Sequence, residues 1–144
     1  MTWKVSVILP ELAIDIWPKV LPYIERVVEQ ADGRASAADA LNRILTGSAQ
    51  LWAIYDPYTL DVTGAMVTRV TEYPAAKFLT VEMLGGDNFD EWMRDADTAL
   101  TVLGEHLGLD GVEEYGRRGW IRKLDKLGWR EQFCITQRRF KKKE

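Results

Sequence analysis

The run Lys77-Phe78-Leu79-Thr80-Val81-Glu82-Met83-Leu84-Gly85-Gly86-Asp87-Asn88-Phe89 changes its period halfway along. Its first part is apolar and strand-like, with the composition of a strand in the middle of a sheet. Gly85-Gly86-Asp87-Asn88 breaks that strand and caps a long helix. From Phe89 the apolar residues Trp92, Met93, Ala96, Leu100, Leu103 and Leu107 recur at helical spacing, and Gly108 is the expected stop. Asp110 to Tyr115 then reads as a short strand. Strand, long helix and strand in succession form a crossover unit, which implies a parallel pair.

Upstream, Gln50 to Tyr55 is a strand, Asp56-Pro57-Tyr58-Thr59 a turn, and Thr63 to Tyr73 a longer β-branched strand ended by Pro74. With Lys77–Leu84 these make an antiparallel meander. Before them the spacing predicts two helices. The first begins near Asp15 as N-cap, with Pro18 in its first turn, and carries Ile16, Val20, Tyr23, Ile24, Val27 and Val28 on one face. Gly33 ends it. The second opens on a capping box, Ser36 with Asp39, and stops at Gly47. Val5 to Pro10 is a strand or an extended arm. Downstream, a last helix from Arg118 to Leu127 ends at Gly128, and a last strand runs from Trp129 to about Phe140. Residues 1–140 are read as a single domain and 141–144 as a basic tail.

The chain has 144 residues, 47% of them hydrophobic and 28% charged, which excludes a disordered or fibrous chain. Its net charge of -3 conceals a division. Residues 1–114 hold 8 Lys+Arg against 19 Asp+Glu, and residues 115–144 hold 11 against 3. Such asymmetry points to an electrostatic role for one face or end, against the plainer reading that it only keeps the protein soluble.

One cysteine, Cys134, excludes an internal disulfide and reads as a buried, inert thiol on the last strand. The one histidine, His106, falls at a helix end, where it suits the dipole. So few soft ligands argue against a zinc site, and no metal is expected. No apolar run approaches the roughly 18 residues of a membrane span, and no signal peptide precedes the first strand, so a soluble protein of a reducing cytoplasm is expected. Of the six tryptophans, Trp92, Trp120 and Trp129 read as core, Trp17 as exposed at a helix entrance and Trp3 as a free anchor.

This order of elements resembles the GNAT N-acetyltransferase fold: α/β (α+β), a mixed central sheet flanked by helices. Lys123-Leu124-Asp125-Lys126-Leu127-Gly128-Trp129 is similar to that family's Leu-Tyr-Glu-Lys-Leu-Gly-Phe segment, where the last helix turns into a strand. Gln50-Leu51-Trp52-Ala53, Leu84-Gly85-Gly86 and Gly116-Arg117-Arg118-Gly119-Trp120 with Gly128-Trp129 also resemble small GNAT-like proteins of tailed bacteriophages. That resemblance implies a virion or assembly component, in the host cytoplasm or incorporated into the particle.

A GNAT enzyme receives the pyrophosphate of acetyl-CoA on a loop of Arg/Gln-x-x-Gly-x-Gly/Ala at a helix N-terminus. Here Leu84, Gly85 and Gly86 stand at that junction as the candidate cofactor-binding residues, without the Arg or Gln. Asp87, Asp90 and Glu91 crowd the same helix start, and like charges a few ångströms apart cost roughly 4 kcal/mol at an effective dielectric near 20. The family's general-acid Tyr is replaced by Leu124. Glu82 is the candidate general base; the structural reading of it is a carboxylate that points outward or pairs with an Arg such as Arg69.

Arg117, Arg118, Arg122, Lys123, Arg138 and Arg139, interleaved with aromatics, form a candidate interaction surface. The leading expectation is a degenerate or non-catalytic GNAT-fold protein working by contact with a protein partner or a second copy, with no cofactor. The alternatives are an acyl-CoA-dependent N-acetyltransferase with an atypical loop, and a nucleic-acid-associated factor using the basic end. No membrane partner is expected.

Overall fold

The computed structural model describes residues 2–116 and 118–140, the side chain of Arg118 excepted. In chain order the elements are β1 (Lys4–Ile8), α1 (Pro10–Gln30), α2 (Ala37–Leu45), β2 (Gln50–Tyr55), β3 (Val62–Glu72), β4 (Lys77–Gly86), α3 (Phe89–His106), β5 (Gly111–Glu114) and α4 (Arg118–Leu124), which runs into a 3-10 turn at Asp125–Leu127. One five-stranded sheet has the order β1-β2-β3-β4-β5. The first four strands pair antiparallel and β5 pairs parallel to β4. The Val5 to Pro10 segment is thus a strand, paired with β2, and the meander and crossover stand as expected.

Side-chain alternation divides the core between the two faces of this sheet. Leu51 and Ala53 of β2, with Ala65 and Val67 of β3, pack under Val20, Ile24, Ala40 and Ile44 of α1 and α2. Trp52 and Ile54, with Met66, Leu79 and Val81, pack under Trp92, Met93, Ala96 and Leu100 of α3. Trp92 is fully buried, and its indole N–H donates to the Asp87 carbonyl at 2.8 Å. Ser36 caps α2 as expected, its hydroxyl accepting from the Asp39 N–H at 3.0 Å. Gly47, Gly108 and Gly128 take left-handed φ values of 85°, 71° and 91° just after their helical turns.

Helix α1 departs from its sequence reading. It begins at Pro10 rather than Asp15, with Leu9 as N-cap, and holds both Pro18 and Pro22 inside it. Both prolines are exposed, four residues apart on the solvent side, while Ala13, Val20 and Ile24 are buried opposite. The carbonyls that the prolines leave unbonded therefore meet water, which makes a break unnecessary. Trp17, read as exposed, is half-buried against the α1–α2 side of the core, and Trp3 packs on the other side, donating to Glu91 at 2.9 Å.

The last strand is the largest correction. Residues 129–140 form no strand, and nearly all are exposed. Cys134, expected to be buried, is exposed with them. The sequence there has strand composition, but composition does not place a segment on an edge, and this one is tied through Trp129 to Asp97 and through Arg139 to Asp32.

Candidate functional site

The site is set by one extra residue in β4. Val67 of β3 faces Met83 and Thr68 faces Val81, so Glu82 has no partner across the ladder. This is a β-bulge, and it reverses the alternation. Val81 packs under α3, yet Met83, two residues on, packs under α1. The parallel pairing with β5 ends at the same place, with Val81 opposite Glu114. β5 ends there, with the Tyr115 N–H donating to the Val81 carbonyl at 3.2 Å.

Glu82, the candidate base, is clamped at this bulge. Its Oε1 accepts from Arg43 Nη1 of α2 at 2.6 Å and lies 3.0 Å from Arg69 Nε of β3. The Arg69 Nε–H is poorly aligned for a hydrogen bond and has no other acceptor, so that contact is an ion pair without hydrogen-bond geometry. Arg43 also donates to Asp39 at 3.1 Å. The hydrogen bond from Arg43 to Glu82, more than any other cause, pushes the Arg43 guanidinium up from its ordinary value. Arg69 was legible as a partner of Glu82; Arg43, nearly forty residues upstream, carried no local signal. The polar network continues onto β5. Glu113 Oε2 accepts from Tyr73 and Thr80, each at 2.7 Å, and the hydrogen bond to Glu113 pushes the Tyr73 phenol up to about 12. Arg69 Nη2 reaches the Tyr115 hydroxyl at 3.5 Å.

The β4–α3 junction holds Leu84, Gly85 and Gly86, and packing accounts for both glycines. A Cβ on Gly85 would stand 2.7 Å from the Tyr23 carbonyl oxygen of α1, and one on Gly86 would stand 2.7 Å from the Thr63 carbonyl oxygen. Helix and strand backbones meet there too closely for any side chain. The loop after Gly86 is tied to the start of β3. The Asp87 N–H donates to the Thr63 carbonyl at 2.8 Å, and Asn88 Nδ2 donates to Thr63 Oγ1 at 3.0 Å. Asn88 takes a left-handed φ of 59° and makes no side-chain cap. Asp87 pairs with Arg26 at 2.9 Å, and Asp90 accepts from Lys123 at 3.1 Å. An N–H already bonded and a first turn already carrying Asp90 and Glu91 offer a pyrophosphate little. The residues present do not fit acyl-CoA held in the manner of that family.

Beyond the end of β5, the α3 side of β4 is largely filled. Trp120 of α4 packs edge-on against Phe89 with ring centres 4.2 Å apart, and Lys123 lies 5.7 Å above the same ring. Leu124 is buried, and Trp129 donates to Asp97 of α3 at 2.8 Å. Between them lies a small apolar cavity, about 290 Å³ including its open mouth, bounded by Val81, Leu84, Phe89, Leu124 and Trp129. Glu114 points into it from β5. Among the described residues, no hydrogen bond or ion pair is recorded for its carboxyl, and burial pushes it up to about 7. Sequence reasoning missed Glu114; the only signal is an acidic residue at a strand end, ahead of Gly116.

The described candidate interaction residues have separate partners. Lys123 bonds to Asp90 at the exposed start of α3, Arg122 is exposed on α4, Arg138 lies 5.3 Å from the Phe140 ring, and Arg139 pairs with Asp32 at 3.1 Å. Arg117, the side chain of Arg118 and residues 141–144 lie outside the described residues. Among the described residues, no group of His, Cys, Asp and Glu could hold a metal ion, and no helix is long and apolar enough to cross a membrane.

No protein-family model matches the chain, and no curated protein matches its sequence. Solved structures do match its shape. A ribosomal-protein-alanine N-acetyltransferase from Brucella melitensis biovar Abortus 2308 superposes with a TM-score of 0.68 at 11% identity, over 96% of this chain and 100% of the other. An aminoglycoside acetyltransferase from an uncultured soil metagenomic sample gives 0.68 at 13%, over 96% and 97%. A glucosamine-6-phosphate N-acetyltransferase from Arabidopsis thaliana gives 0.62 at 12%, over 98% and 100%. At such identities the likeness establishes the fold alone. The fold is that of the GNAT acetyltransferases.

Proposed function

We propose that this chain is a GNAT-fold protein that has lost conventional acyl-CoA binding and works by contact with another protein. The observation that carries the reading is the closed helix start. Trp120 packs on Phe89, Lys123 neutralises Asp90, and the Asp87 N–H is spent on Thr63. Fold and activity are separable, and the site speaks against the cofactor. The partner implied by the sequence resemblance is a virion or assembly protein of a tailed bacteriophage. Titration with acetyl-CoA by calorimetry tests the reading: no binding heat is expected, and micromolar binding overturns it.

A second reading, an acyl-CoA-dependent N-acetyltransferase with an atypical loop, is favoured by one feature. The parallel β4–β5 pair ends at Glu114, which lines the apolar cavity there, so one buried ionisable group stands at the carboxyl end of a parallel strand. Release of free thiol from acetyl-CoA on mixing with an amine panel would favour it.

A further inference from the structure

We propose that Glu114 is a proton-operated latch on α4: the protonated carboxyl lets α4 close over the cavity, and its ionisation releases α4 and Trp129 from the sheet. The group sits where an anion is poorly tolerated. Val81, Phe89, Met93, Leu100, Leu124 and Trp129 line the same cavity. The turn after β5 folds the carboxyl inward: Oε1 lies against Gly116, where the Cβ of any other residue would collide with it. An ionised carboxyl without a partner is costly in such a place, and it stays buried only by keeping its proton.

The charged groups around it do not offset that charge. On α3, Asp97 lines the same cavity and accepts from the Trp129 indole at 2.8 Å, so ionised Glu114 would be a second anion there. Lys123 of α4 is taken by Asp90 at 3.1 Å, and Arg122 is exposed. Arg43 and Arg69 lie on Glu82 of β4, while Glu113 of β5 accepts from Tyr73 and Thr80. Arg130, next to Trp129, bonds to Asp125 at 3.3 Å. The element over the cavity is short and lightly held. α4 has seven residues, too few to be stable as a helix by themselves. It rests on the Trp120–Phe89 contact, on buried Leu124 and on an exposed Lys123–Asp90 pair that contributes little. The five strands pair without it, so its release is a local opening and not unfolding of the chain.

This inference goes beyond the proposed function and does not rest on it. Its test contains no cofactor, so calorimetric binding of acetyl-CoA would sink that reading and leave the latch standing. The experiment is hydrogen exchange of the full chain by mass spectrometry over a pH series, with each rate corrected for the chemical exchange rate at that pH. Burial holds the closed carboxyl up to about 7 from 4.5, so opening should grow about tenfold per pH unit between those values and level off above them. The expected result is corrected exchange of residues 122–129 that rises roughly 50–100-fold from about pH 5 to about pH 8, while β2 stays far slower throughout. Glu114→Gln, neutral and of the same shape, should remove the rise. Exchange of residues 122–129 that is flat with pH overturns the proposal, as does a rise that survives Glu114→Gln. So does exchange of these residues at the same rate as β2, which marks unfolding of the whole chain.

Discussion

Arg43 Nη1 lies 2.6 Å from Glu82 Oε1, joining α2 to the bulge of β4 across half-buried ground. Arg69 approaches the same oxygen, so Glu82 is the anion between two cations. Removing the anion should cost more than removing either cation. Glu82→Ala is expected to lower unfolding stability by about 2 kcal/mol, the scale of a charged hydrogen bond lost with its partner left behind. Arg43→Ala should cost less. Urea denaturation of the two variants and their double mutant gives the coupling; a Glu82→Ala loss no larger than that of Arg43→Ala contradicts the clamp.

The glycines of the β4–α3 junction make a packing prediction. Gly85→Ala sets a Cβ against the rigid Tyr23 carbonyl and should destabilise by about 1–3 kcal/mol. Gly119→Ala, in the open on α4, should be neutral or stabilise by up to about 1 kcal/mol. Thermal melts compare them. Equal effects would mean that the close approach of α1 does not explain Gly85.

Glu114 gives a pH dependence. Burial raises its folded value to about 7 from 4.5, so its protonated form is the one the fold prefers. The stabilisation is fully present below the unfolded value and is lost as pH rises through about 7, by up to about 3 kcal/mol. Glu114→Gln should flatten this loss, raising the urea midpoint at about pH 8 while changing it little at about pH 4. Indistinguishable pH profiles for wild type and variant would remove Glu114 as the cause.

The closed helix start makes a further prediction about charge. If repulsion alone excluded an anion, Asp87→Asn with Asp90→Asn would open the site to acetyl-CoA. The Thr63–Asp87 backbone bond and the Trp120–Phe89 contact survive both substitutions, so calorimetry should still find no binding. Binding by this variant would show that charge, not geometry, keeps the cofactor out.

Much of the fold is legible in the chain because its periods are local. The meander, the crossover through α3 and the Ser36 cap each arise from a few neighbouring residues. The α1 start was not legible, because two prolines look like a break until one knows that both face water. Residues 129–140 read as a strand and form none, because composition does not say whether the segment reaches an edge. At the site, Arg69 could be placed near Glu82 from strand adjacency, whereas Arg43 and the burial of Glu114 arise only when α2 and α4 close on the sheet.

The unpaired residue at Glu82 is an addition to the ladder and not a shift of it, for Val81 and Met83 face the neighbouring residues Thr68 and Val67. Loss of Glu82 would close the bulge and leave Met83 toward α1, Leu84 toward the cavity and Gly85 beneath Tyr23. Gain of one residue carried into the ladder between Val81 and Gly85 would instead put Leu84 where only a glycine fits. Length variation in this stretch is therefore one-sided: one residue can be lost, and none can be added.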